Sequence, residues 1–163
     1  MDSGLRTVIF ATARAFAVLG WLAIAFAGSV TAAGDLDEPL ARVEHHLRLA
    51  QPLTEHFEAV VSQDCPRFAT SAEWRRYVDA EIDLLILMVA HLDEAWAEAR
   101  RTGDDDVRRT AKAPRRRKDE ARAALEKVQR CAADNGASFS TFAVVRKIER
   151  ELPSRRATIA LPQ

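Results

Sequence analysis

Four histidines, two cysteines and the carboxylates beside one apolar run are the side chains of this chain that could do chemistry. Metal binding needs several of them to converge within one coordination sphere. His45 and His56 are eleven residues apart and almost in line on a helix, but a rise of about 1.5 Å per residue separates them by roughly 16 Å. One ion cannot bridge that gap. Both also lie opposite the Leu40, Val43 and Leu47 stripe, which predicts a solvated helix face. His46 flanks the stripe with Glu44 nearby, yet it diverges from the adjacent His45. Neither H-E-x-x-H nor the E-x-x-H of di-iron bundles is present. His91 and Glu94 form a single i, i+3 pair, and the expected role of His91 is a core histidine hydrogen-bonded to a carboxylate. His45, His46 and His91 are therefore the candidate metal ligands, without a complete set among them, and no metal is expected.

Haem is not expected either. A covalent C-x-x-C-H site is absent, and Met88 and His91, three apart on one helix, project from the same side, whereas axial ligands approach iron from opposite sides. Glu81 and Asp83 flank the apolar run, where burial would raise a carboxylate pKa, but a spacing of two puts them on nearly opposite faces. No catalytic residue and no cofactor site is assigned.

Cys65 and Cys131 are the only cysteines. In an exported chain an even count favours a disulfide, the competing reading being two buried thiols. The remaining surface feature is a basic run: Arg108, Arg109, Lys112, Arg115, Arg116, Arg117 and Lys118 contain no acid between them. It is either a solvated connection neutralised by flanking acids or a patch for an anionic surface or acidic partner. Nucleic acid is not expected, because the run has no interleaved aromatics for stacking and the chain reads as exported.

The elements that must position these residues are helical. Ala, Arg, Glu and Leu dominate, only 6 Gly and 6 Pro occur, and 48% hydrophobic with 29% charged residues suits one domain with a core. Glu81 to Trp96 is nearly apolar all round in its middle, so the helix carrying it needs cover on most of its circumference. About eleven apolar residues there are too few to span a bilayer.

Upstream, Asp37, Glu38 and Pro39 start an amphipathic helix of about 25 residues, with a kink or short break expected near Leu49 to Gln51 because of Pro52. Thr70 and Glu73 form a capping box that opens the second helix, and Gly103 stops it. A short segment after Asp104 ends at Pro114, and a third main helix is placed from Arg115 to Ala133. Its thin apolar face comprises Ala121, Ala124, Leu125, Val128, Cys131 and Ala132. A short last helix, capped by Ser138 or Ser140, should bury Phe142, Val145, Ile148 and Leu152 and end at Pro153, leaving residues 154–163 as a flexible tail.

Residues 1–33 have the parts of a signal peptide: Arg6 and Arg14, the uncharged run Ala15 to Val30, then small residues that allow cleavage after Ala32 or Ala33. Uncleaved, the 19 residues from Ala15 to Ala33 would instead form an inner-membrane anchor, with the domain outside the cytoplasm. Loss of residues 1–32 takes the net charge from zero to −1, since it removes Arg6, Arg14 and Asp2. The expected fold is all-α: an antiparallel up-down bundle of three main helices plus a short C-terminal helix, in residues 34–153. Three up-down-up helices bring Cys65 and Cys131 to one pole.

The expected function is that of an exported, periplasmic or secreted, non-enzymatic binding or interaction module. A metal- or small-ligand-responsive protein using the histidines of the first two helices ranks second. An enzyme with a site assembled only in three dimensions ranks third.

Overall fold

The computed structural model describes residue 36 and residues 38–114 and 118–162, without the side chains of 118, 120 and 121. Residues 1–33, Asp37 and Arg115 to Arg117 lie outside the described residues, so the signal segment, one predicted cap and the middle of the basic run do too. The described chain is all-helical, with five α-helices and no strand. They are α1 (Pro39–Ser62), α2 (Ser71–Thr102), α3 (Asp105–Lys112), α4 (Lys118–Ala132) and α5 (Thr141–Ile159).

Local chemistry accounts for the ends. Thr70 Oγ1 accepts from the Glu73 amide at 3.2 Å while the Glu73 carboxylate accepts from the Thr70 amide at 3.1 Å, closing the capping box of α2. Gly103 ends that helix at φ 72°, a left-handed conformation that costs glycine nothing. Asp104 caps α3 and Ser140 caps α5. Pro39 sits in the first turn of α1, where its missing N–H is harmless.

Helix α2 is the hub and touches every other helix. Ile82, Leu85, Ile86, Met88, Ala90, Leu92 and Ala95 are buried along it, as its apolar middle demanded. Three clusters follow one another along α2. Trp74, Val78, Ile82 and Ile86 meet Val128, Cys131 and Val144 at one end. Leu85, Met88 and Leu92 meet Ala50, Phe57 and Ala124 in the middle. Ala95 and Ala99 meet Val43, Val107 and Ala111 at the other end. The small residues of α4 allow it to lie close to α1, its main neighbour.

The short break allowed at Pro52 and the helix end expected at Pro153 are both overturned. Helix α1 runs unbroken through Pro52. The proline is exposed, so the lost bond leaves a carbonyl on the wet side, while Ala50, Thr54 and Phe57 keep the stripe buried. Likewise Pro153 does not end α5, which continues to Ile159, so residues 154–159 are helix rather than loose tail. Pro153 is again exposed, and contacts beyond it hold the segment: Arg156 Nε donates to Glu94 Oε1 at 2.7 Å, and Arg42 Nη2 donates to the Leu161 carbonyl at 3.3 Å.

The buried face of α5 also differs from the expected one. Val144 is buried with Ile148 and Leu152 half-buried, whereas Phe142 is 76% exposed and Val145 43% exposed. The rotation is set by Val144 packing into the Trp74 and Val128 cluster and by Lys147 reaching Asp83 at 2.9 Å.

Candidate functional site

Cys65 and Cys131 form a disulfide, with Cα atoms 5.4 Å apart, tying the α1–α2 connection to the last turn of α4. Asn135 locks the same junction. Its Nδ2 donates to the carbonyls of Pro66 (2.9 Å) and Cys131 (3.0 Å), and its Oδ1 accepts from the Phe68 amide at 2.9 Å.

Against this stapled junction lies a cleft of about 200 Å³ whose lining includes His56, Val60, Trp74, Tyr77, Glu81 and Lys127. Cys131 and Val128 form part of its wall. His56 Nε2 is 2.7 Å from Glu81 Oε2, the imidazole partly exposed and the carboxylate buried. The hydrogen bond to Glu81 raises the His56 pKa, against the opposing effect of burial, with the carboxylate charge adding to the rise. Burial first, and then neighbouring Glu81, push the Tyr77 phenol upward. Lys127 Nζ donates to the Val61 and Gln63 carbonyls, placing a cation on the negative end of α1. Trp74, Tyr77 and Phe68 stack at centroid distances of 5.2 to 6.1 Å to make a rigid aromatic side.

A second polar site lies on the same α1–α2 seam. His46 and His91 are both buried, with Nδ1 atoms 3.2 Å apart. His46 Nε2 is buried with no hydrogen-bond partner among the described residues. The less costly assignment has His46 Nδ1–H donating to His91, since the orphan is then a bare lone pair and not an N–H. Burial lowers both pKa values to about 4; at His46 the neighbouring His45 and Arg42 add to the fall against the opposing pull of Glu98, and at His91 it is His46 and His45 that add to it. Both rings are thus neutral at neutral pH.

The candidate metal ligands divide accordingly. His46 and His91 meet, and the ring of half-buried His45 touches His46 edge-on at 5.4 Å. Among the described residues no group of three or more His, Cys, Asp or Glu side chains could hold a metal ion. The carboxylate partner expected for His91 is not found among the described residues: Glu94 is taken by Arg156, and His46 from α1 fills the place. Of the two histidines expected on a solvated face, His45 is half-buried and His56, partly exposed, is paired with Glu81, while His46, expected to flank the stripe, is fully buried. Glu98, another buried carboxylate of α2, receives Arg42 at 3.0 and 3.1 Å and Arg101 at 2.9 Å. Burial pulls its pKa up, but these guanidinium groups outweigh it and the net shift is downward.

The basic run is partly neutralised within α3. Arg108 pairs with Asp105 at 2.7 Å and Arg109 with Asp106 at 3.0 Å, whereas Lys112 is exposed. Arg115, Arg116 and Arg117 and the Lys118 side chain fall outside the described residues. A larger groove of about 550 Å³ runs along α1 past Glu44, Arg48, Gln51 and Glu55 to Pro114, and the polar pair in it, Gln51 Nε2 donating to Glu55 Oε1 at 3.0 Å, is exposed on a single helix.

No helix among the described residues is long and apolar enough to cross a membrane. No protein-family model, no curated protein and no solved structure matches the chain.

Proposed function

We propose that this chain is exported by the segment 1–33 and acts outside the cytoplasm as a non-enzymatic binding module. Its ligand is a small molecule with an apolar or aromatic body and one polar end, held in the cleft at His56, Tyr77 and Glu81. The observation that carries this reading is the His56–Glu81 pair, 2.7 Å apart beside the aromatic wall of Trp74 and Tyr77. Apolar walls with a few placed polar groups are the chemistry of a ligand site. A volume near 200 Å³ suits a ligand below drug size. Binding is favoured over nucleophilic catalysis because the amine of Lys127 is engaged at the end of α1 and the sulfur of Cys131 in its disulfide.

Export is supported by the charge and hydropathy order of residues 1–33 and by a disulfide closing 66 residues of chain, a bond suited to oxidising compartments. The periplasm or the exterior is the proposed location, and an up-and-down bundle the proposed arrangement of the helices.

The test is an amide NMR titration of the oxidised protein with a panel of small aromatic amines and carboxylates. Resonances of His56, Tyr77, Glu81 and Lys127 should move together, and the shifts should vanish in H56Q and E81Q while those variants remain folded. A panel that leaves these four residues unmoved at millimolar concentration removes the cleft from the reading.

A further inference from the structure

We infer that the first part of α1, residues 39–48, is an acid-released flap, hinged at Pro52 and latched to α2 by the His46 and His91 pair. The two ends of the helical core are fastened unequally. At one end the Cys65–Cys131 disulfide and the three hydrogen bonds of Asn135 hold the α1–α2 connection to α4, beside a cluster that contains Trp74, Ile82 and Ile86. At the other end α1 rests on the cluster of Val43, Ala95, Ala99, Val107 and Ala111, mostly alanines, which bury little apolar area. Between these ends lies Pro52. It offers the Arg48 carbonyl no helical donor, so α1 resists bending least at that turn. The latch lies on the loosely held side of this point and the disulfide beyond the other.

The latch accommodates one proton between its facing nitrogens and no more. With His46 Nδ1–H donating to His91 Nδ1 across 3.2 Å, a proton added to His91 goes on Nδ1 and sets two N–H groups against each other. A proton added to His46 goes on Nε2, which is buried and has no partner among the described residues. Either the rings part or a charge stays buried without a partner. Glu98 attracts a proton to His46, but its carboxylate already accepts from Arg42 and Arg101, and Glu94 is held by Arg156 of α5. The other groups acting on the pair are Arg42 and His45 of α1, and both oppose a positive charge there. Helix α3 meets the cluster through Val107 and Ala111, while its Arg108 and Arg109 pair with Asp105 and Asp106. Arg42 precedes His46 by one turn, so a charged imidazole also repels the guanidinium that ties α1 to Glu98. Charging belongs to the interval between pH 6.5 and 4, where the closed pair refuses protons that free rings accept. Once released, residues 39–48 are too few to stay helical on their own.

Native-state hydrogen exchange of the disulfide-bonded protein, at low urea concentrations and at pH 7.5 and pH 5, tests this. The amides of residues 42–48 should share one opening that is more populated than the one exposing the amides of Trp74 to Ile86, and less sensitive to urea because less surface is uncovered. Between pH 7.5 and pH 5 that opening should become about 30-fold or more populated, and H46Q/H91Q should remove the pH dependence. P52A gives the Arg48 carbonyl a donor at an exposed position and should make the opening about 5-fold rarer. The parent chain and P52A decide the matter even where H46Q/H91Q does not fold. Amides 42–48 that open only together with Trp74 to Ile86, an opening indifferent to pH, or a pH dependence that survives in H46Q/H91Q overturns the inference. An opening equally populated in P52A overturns the hinge.

Discussion

His46 of α1 and His91 of α2 face each other across the core with their Nδ1 atoms 3.2 Å apart and both pKa values lowered to about 4. A histidine whose folded pKa is depressed stabilises the fold fully above its unfolded value of about 6.5 and withdraws that contribution as pH falls toward 4. Stability should therefore drop between pH 6.5 and 4, by on the order of 2 to 4 kcal/mol for the pair at pH 5. Urea melts at pH 7.5 and pH 5 measure the difference, and H46Q/H91Q should flatten it. His56 works in the opposite sense. Its raised pKa gives stability that is present below 6.5 and lost as pH climbs through the folded value. H56Q should accordingly steepen the acid loss.

The disulfide closes a loop of 66 residues, which in the chain-entropy model contributes about 4 kcal/mol. C65S/C131S should lower the free energy of unfolding by roughly that amount. Equal denaturation midpoints for the variant and the oxidised protein would show that the bridge adds nothing.

Asn135 satisfies two carbonyls and one amide from within the junction. N135A should cost about 2 to 3 kcal/mol, because it strands those groups in a partly dry place. Hydrogen exchange at the Phe68 amide should accelerate at the same time, a local signature that a general loss of stability would not single out.

Pro153 inside α5 denies the Glu149 carbonyl its helical donor. P153A restores one and should stabilise the protein by about 1 to 3 kcal/mol. R156A should act oppositely, by roughly 1 to 3 kcal/mol after discounting for the exposure of the guanidinium, since it leaves Glu94 buried without that partner. If P153A instead destabilises the protein, residues 154–159 are not helical in solution.

Three helix ends were legible because they depend on neighbours in sequence: Thr70 with Glu73, Gly103 after α2, Ser140 before α5, whereas the N-cap of α1 is Glu38, without a capping side-chain bond, and not the expected Asp37. The disulfide was legible because two cysteines leave one pairing. What escaped was what depends on rotation about a helix axis and on the partner across the seam. His56 lies on the face of α1 opposite the Val43 stripe, yet α2 reaches it through Glu81; nothing in local spacing encodes that reach. His46 flanked the stripe, and its full burial follows from the contact with His91, 45 positions away. Spacing alone places Phe142 inward, since Phe142, Val145, Ile148 and Leu152 and the observed Val144, Ile148 and Leu152 are overlapping helical sets. The Pro153 expectation failed for a related reason: long-range anchors at Arg156 and Leu161 outweigh one missing backbone bond.

Cys131 belongs to the wall of the His56–Glu81 cleft as well as to the disulfide, so the shape of the cleft is tied to redox state. Before oxidation the Gln63–Asp64 and Pro66 side of the cleft is not covalently fixed to α4. On the proposed reading of an exported binding module, ligand capture is completed only by oxidation, and the newly made chain carries its binding site unfinished until it reaches an oxidising compartment.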